Sequence, residues 1–233
     1  MKLHLTGLGD GPRLAILLHG GTVDSRIWHH LGPRMAAAGW RVLTPDLRGH
    51  GQSPRGSYSI EEWADDLVDN LPSGADLIVG HSLGGTVLSL AVERLRPRRA
   101  VYAEPGFEHD VKPAGYFARK KAALATLTGP ELAAAEPGWT AGDVEAFLAG
   151  MRCCDPAVLD SVGALADRHT NYVPSTAVVP SLLLVAERGS VVRPQTAHLL
   201  STRGFEVRTV PGVGHNLQLD HPDSFLRAIG VPA

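Results

Sequence analysis

The chain has 233 residues with 22 Lys and Arg against 24 Asp and Glu, a formal charge of −2. Length over about 150 residues per domain gives roughly 1.5, which fits one large α/β domain carrying an insertion. At 44% hydrophobic and 20% charged residues, with both signs mixed along the chain, disordered and fibrous classes are excluded and a polyanion-binding surface is disfavoured.

The longest apolar run, Leu182 to Ala186, is far short of the ~18 residues a membrane-spanning helix needs, and the start MKLHLTGLGD lacks the apolar stretch of a signal peptide. A cytoplasmic location, without membrane or nucleic-acid partners, is the expectation. The two cysteines, Cys153 and Cys154, are adjacent and poorly placed for an unstrained disulfide, so both are expected to be reduced.

In chain order, Lys2 to Leu5 and Leu14 to His19 read as strands joined by GLGDGP, as in an opening hairpin. The GxGxG of this turn leads into a strand, whereas a dinucleotide-binding motif must open a helix, so that reading is set aside. Apolar residues at Ile27, Leu31, Met35 and Ala38 give a helical period over Arg26 to Ala38, and Gly39 ends it before a strand at Arg41 to Thr44. The loop DLRGHGQSPRGS follows. A helix from Ile60 to Leu71, a buried strand from Asp76 to Val79 and a helix running to about Arg96 come next, then a strand from Arg99 to Ala103. After a long interruption the pattern resumes with a strand at Leu182 to Ala186, a helix at Pro194 to Leu200, a strand at Phe205 to Val210 and a final helix. Alternating strands and helices imply a doubly wound, mostly parallel sheet covered on both faces.

The interruption, residues 107–173, is rich in Ala and Leu and broken by Pro and Gly, and it reads as a helical cap or lid on a core formed by residues 1–106 and 174–233. Insertions at the carboxyl edge of such sheets commonly sit over the site.

Gly80-His81-Ser82-Leu83-Gly84 matches G-x-S-x-G between a strand and a helix, where the turn throws the middle residue into a strained, exposed position. Ser82 is the candidate nucleophile. The helix amino terminus behind it favours negative charge, so the Leu83 N–H is one candidate oxyanion donor, and the Gly21 N–H in His19-Gly20-Gly21 is the other. His215 in Val213-Gly214-His215 lies between the last strand and last helix, at the same sheet edge, where a general base belongs. Of the 11 histidines, His4, His29, His30, His109, His169, His198 and His221 read as surface or packing residues, and no spacing among them suggests a metal site. His50 and His81 border the expected pocket. Trp28, His50, His81, Phe107, Trp139 and Tyr172 are the candidate substrate contacts.

Together HGG at His19 to Gly21, DLRGHGQS at Asp46 to Ser53, GHSLGG at Gly80 to Gly85 and GVGH at Gly212 to His215 make the chain resemble the α/β-hydrolase fold superfamily over nearly its whole length. The resemblance implies an eight-stranded, mostly parallel sheet, an insertion after strand six, and a Ser-acid-His triad that needs no cofactor or metal. It departs from the pattern at the acid. Relatives place an aspartate after strand seven, where this chain has Ala186-Glu187-Arg188-Gly189-Ser190 with glycine at the expected position. Two replacements are open, and the better is Glu104 at the end of strand six, as in haloalkane dehalogenases and zearalenone-type lactone hydrolases, because its extra methylene helps it reach the histidine from the neighbouring strand; the other is Glu187. Losing the acid altogether would cost about 10⁴-fold in rate.

The resulting expectation is a serine hydrolase of a small to medium, largely apolar ester or lactone. Alternatives are a non-catalytic small-molecule receptor on the same fold, a thioesterase, a carbon-carbon bond hydrolase or an acyltransferase. Oligomeric state is not legible.

Overall fold

In the computed structural model, which describes residues 1–108, 112–168 and 170–232, alternating apolar positions build one sheet buried on both faces. The strands are β1 (Leu5–Leu8), β2 (Arg13–Leu18), β3 (Trp40–Pro45), β4 (Leu77–His81), β5 (Ala100–Ala103), β6 (Ser181–Ala186) and β7 (Phe205–Val210), in the spatial order β1-β3-β2-β4-β5-β6-β7. All pairings are parallel except β1 with β3. Seven strands are thus present among the described residues, not eight, and the strand that the resemblance numbers sixth is β5.

Side-chain alternation explains the two-sided core. Ile16, Leu18, Ile78 and Tyr102 face one layer, where α2 (Ile60–Asn70) and α3 (Leu83–Leu95) contribute Trp63, Leu67, Leu88 and Val92. Leu17, Val79, Val101 and Ala103 face the other, covered by Leu31 and Met35 of α1 (Leu31–Ala37) and, near the carboxyl terminus, by Phe225 and Leu226.

Two local readings change. The opening hairpin is absent, because β1 begins at Leu5 and pairs antiparallel with β3 (Leu5 opposite Pro45), leaving β2 between two parallel neighbours. The helix expected from Arg26 is divided into a 3-10 turn at Ser25–Trp28, N-capped by Asp24, and α1 from Leu31. Pro33 accounts for the division, since proline has no N–H to donate and is tolerated only in a helix's first turn.

Between β5 and β6 lie α4 (Tyr116–Thr126), α5 (Gly129–Ala135), α6 (Ala141–Cys153) and α7 (Ala157–Asp167). Capping boxes at Thr128 with Glu131 and Thr140 with Asp143 start α5 and α6. The chain closes with α8 (Pro194–Thr202), α9 (Leu217–Asp220) and α10 (Pro222–Ile229). No helix among the described residues is long and apolar enough to cross a membrane. Cys153 and Cys154 are free thiols, and burial pushes the Cys154 thiol up to about 12. His109 and His169 lie outside the described residues.

Candidate active site

The turn from β4 into α3 fixes Ser82 at φ +49° and ψ −114°, outside the ordinary regions for a side-chain-bearing residue. The flanking glycines are required by close approach. A Cβ on Gly80 would stand 2.6 Å from the Gly84 carbonyl oxygen, and one on Gly84 2.6 Å from the carbonyl oxygens of Leu18 and His19. Backbone hydrogen bonds lock the corner, from Ser82 N to Ala103 O (3.0 Å) and from Gly84 N to His19 O (3.1 Å). Leu83 opens α3, so its N–H has no partner within the helix and sits at the positive end of the helix dipole. The loop after β2 passes directly beside it, since a Cβ on Gly21 would lie 3.8 Å from the Leu83 side chain.

Buried His19 braces this second loop. Its Nδ1 lies 2.7 Å from the Gly20 carbonyl oxygen, and its Nε2 accepts the Leu47 N–H at 2.9 Å. A carbonyl only accepts and an amide N–H only donates, so the ring is the neutral tautomer with its proton on Nδ1. Burial accordingly lowers the His19 pKa. Asp46 holds the same region by accepting the N–H groups of Ser25 and Gln52, each at 2.9 Å.

Glu104 follows β5 and is fully buried. Its Oε1 accepts the Ala186 N–H at 2.7 Å and the Ser190 hydroxyl at 2.6 Å, and its Oε2 accepts the Val191 N–H at 2.8 Å. His215 Nδ1 stands 3.4 Å from the same Oε2. Burial raises the Glu104 carboxyl pKa, but the hydrogen bonds from His215, Ser190, Ala186 and Val191 outweigh it and leave the group below the usual glutamate value. Glu187 is directed elsewhere, being exposed and accepting the Gly212 N–H at 2.8 Å. The His215 backbone is held in turn, its carbonyl oxygen accepting from His81 Nε2 at 2.9 Å.

Ser82, His215, Gly21, Leu83 and His81 line one cavity of about 330 Å³, near the lower end of ordinary small-molecule sites. The other candidate contacts do not line it. Trp28 is buried against Phe225 with ring centroids 6.3 Å apart, and His50 is sealed between His19 and Trp63. Phe107 packs on Tyr102, the Trp139 Nε1–H donates to Asp220, and the Tyr172 hydroxyl donates to Glu61. Trp28, His50, Phe107 and Trp139 find more buried area or a polar partner inside the protein, whereas Tyr172 finds its partner at the surface.

The cavity wall is instead built from Phe117 of α4, Phe147 of α6 and Val158, Leu159 and Val162 of α7, with Lys112 and Lys120 also contributing. The one available signal was the apolar spacing Val158, Leu159, Val162, a helix face that the sequence offers equally to a core.

The sequence model of the alpha/beta hydrolase family matches residues 15–228. Among curated proteins the chain is 40% identical over 84 residues to pimeloyl-(acyl-carrier protein) methyl ester esterase of Aromatoleum aromaticum, covering 36% of this chain and 32% of that one. It is 36% identical over 104 residues to lipase LipV of Mycobacterium tuberculosis, covering 40% and 38%. The aligned segments thus span well under half the length of these relatives. Solved structures resemble it across nearly the whole chain. The N-formylmaleamic acid deformylase of Pseudomonas putida superposes with a TM-score of 0.79 at 20% identity, covering 97% of this chain and 95% of that one. An esterase from Exiguobacterium antarcticum gives 0.76 at 15% identity, covering 97% and 93%.

Proposed function

The chain belongs to the alpha/beta hydrolase family, and from this we propose that it is a cofactor-independent serine hydrolase of carboxylic esters or lactones with a small to medium, largely apolar acyl part. The observation that carries the reading is the 3.4 Å approach of Glu104 Oε2 to His215 Nδ1, with His215 and Ser82 lining the same cavity. Two partial relatives named as an esterase and a lipase support ester hydrolysis in general.

In this reading Ser82 Oγ attacks the substrate carbonyl carbon while His215 takes the hydroxyl proton. Glu104 holds the ring in the tautomer that leaves the far nitrogen free to accept, and it stabilises the imidazolium. Charge gathering on the carbonyl oxygen meets the N–H groups of Gly21 and Leu83, each worth about 3 kcal/mol when aimed at it. His215 returns the proton to the leaving alcohol oxygen, giving an acyl-Ser82 ester. Water, deprotonated by His215, then attacks that ester, releasing the acid and restoring the hydroxyl. Helices α4, α6 and α7 act as the lid, and their Phe117, Phe147 and Val162 receive the acyl group.

The test is hydrolysis of a chromogenic acyl-ester series and a macrocyclic lactone by the wild type and by Ser82→Ala. Turnover that disappears in the variant supports the reading. A wild type that turns over none of them, yet is stabilised by such compounds, favours the receptor alternative.

A further inference from the structure

A second cluster of ligating side chains lies outside the cavity lining, where the 3-10 turn at Ser25–Trp28 packs against α6. His29 and His30 follow the turn, Asp143 sits in the first turn of α6, and one ligand atom from each lies within 4.8 Å of the others. The Nε2 atoms of His29 and His30 stand 3.1 and 2.9 Å from Asp143 Oδ1. Yet Oδ1 and His29 Nε2 are buried without a hydrogen-bond partner, and Asp143 is only 1% exposed.

The far sides of these groups explain the mismatch. His29 Nδ1 lies 3.2 Å from the Arg26 carbonyl oxygen, which can only accept, so Nδ1 carries the proton and the neutral ring presents a lone pair at Nε2. Asp143 Oδ2 accepts the Thr140 backbone N–H and hydroxyl, both at 2.7 Å, which leaves Oδ1 aimed at the histidines. Two acceptors therefore face each other in a protected place, an arrangement that repels unless a positive centre joins them. A backbone carbonyl behind an imidazole and hydrogen bonds behind a carboxylate are the outer partners that orient metal ligands.

We propose that His29, His30 and Asp143 form a site for a divalent transition cation of the zinc type, which fastens α6 to the 3-10 turn. Two imidazole nitrogens and one carboxylate oxygen suit zinc, cobalt or nickel better than magnesium or calcium. Each histidine nitrogen, 3.1 or 2.9 Å from Asp143 Oδ1, would subtend with that oxygen roughly a right angle at an ion about 2.1 Å from both. The 29% and 34% exposure of the two imidazoles supplies an entry path and open coordination positions. The consequence reaches the cavity, because α6 carries Phe147 into its wall and seats Gly150 so closely that a Cβ there would lie 3.0 Å from Asp24 N. Arg26, in the turn itself, is already paired with Asp24 at 2.6 Å.

The test uses full-length, tag-free protein dialysed against a chelator and titrated with Zn²⁺ by calorimetry. One equivalent per chain is expected, with affinity falling about 100-fold or more in Asp143→Asn and in the His29→Gln, His30→Gln double variant, beyond the cost of losing an outer-shell partner. Asparagine retains a side-chain oxygen for the Thr140 contacts, and circular dichroism checks that each variant is folded. Co²⁺ added to the wild type should give visible d–d absorption that both variants lack. Absence of Zn²⁺ binding by the wild type, or equal binding by folded variants, overturns the proposal.

Discussion

Glu104 Oε2 stands 3.4 Å from His215 Nδ1 although the two residues are 111 positions apart in the chain. The same carboxylate accepts from Ala186 N, Ser190 Oγ and Val191 N, so it also organises the loop after β6, where the family resemblance leads one to expect an aspartate. A carboxylate at the end of the neighbouring strand β5 thus lies within reach both of His215 and of the loop that carries Gly189.

Glu104→Gln should therefore lower kcat on a chromogenic ester by about 10⁴-fold, through loss of the His215 tautomer and of imidazolium stabilisation. Its amide would also set donors against donors in the β6 loop, costing about 1–3 kcal/mol of stability in urea denaturation. Glu187→Gln, altering only an exposed contact to Gly212, should leave kcat unchanged. Equal loss in both variants would place the acid elsewhere.

Ser82 holds a positive φ of +49° that glycine adopts without strain. Relief of about 1–3 kcal/mol, less the 0.5–1 kcal/mol that glycine's extra unfolded-state freedom removes, leaves Ser82→Gly about 1 kcal/mol more stable than wild type. Ser82→Ala keeps the Cβ and the strain, so its urea midpoint should match the wild type. Both should lack ester hydrolysis. A stabilised glycine variant beside a neutral alanine variant would locate the strain in the backbone rather than in the hydroxyl.

What was legible in the sequence follows from what admits few solutions. Gly80 and Gly84 are forced by backbone contacts under 3 Å, so the elbow announces itself, and the strand-helix alternation fixed the two-sided sheet. The pairing of β1 was not legible, because a glycine-rich turn between two apolar segments suits a hairpin as well as a crossing to β3. Aromatic residues misled for a related reason: Trp28 and Trp139 gain as much from burial against Phe225 and Phe147 as from a ligand. Glu104 could be singled out and set above Glu187, being a charge at the end of an apolar strand beside the elbow, but its contacts with Ala186, Ser190 and Val191 depend on how the β6 loop folds. The pairing of His29 and His30 with Asp143 depends on how α6 packs, which periodicity does not specify.

Acid should destabilise the protein before its carboxylates titrate. Burial lowers His50 and His81 from 6.5 to about 3 and lowers His19 as well. The unfolded chain then binds more protons than the folded one, so this stability is intact above pH 6.5 and is lost as pH falls toward about 3. Between pH 7.5 and 5.5, His50 and His81 should each remove about 1.4 kcal/mol, and His19 acts in the same direction. Urea midpoints across that interval measure the effect, and a flat profile would mean that these rings are not buried in the neutral form.

Acyl selectivity should reside in the helices between β5 and β6. Phe117 and Phe147 line the cavity beside Ser82, whereas Trp139 lies outside its lining with its Nε1–H on Asp220. Each methylene that gains apolar surroundings adds about 0.8 kcal/mol, roughly fourfold in kcat/KM when the contact persists in the transition state. Phe117→Ala and Phe147→Ala should shift the preferred chain length upward in a p-nitrophenyl ester series, while Trp139→Phe leaves the profile in place. Both phenylalanines are only half-buried, so their truncation should cost less stability than a core deletion of about 3–5 kcal/mol. An unshifted optimum in both would mean that the acyl chain leaves Ser82 along another wall, one not built by α4 and α6.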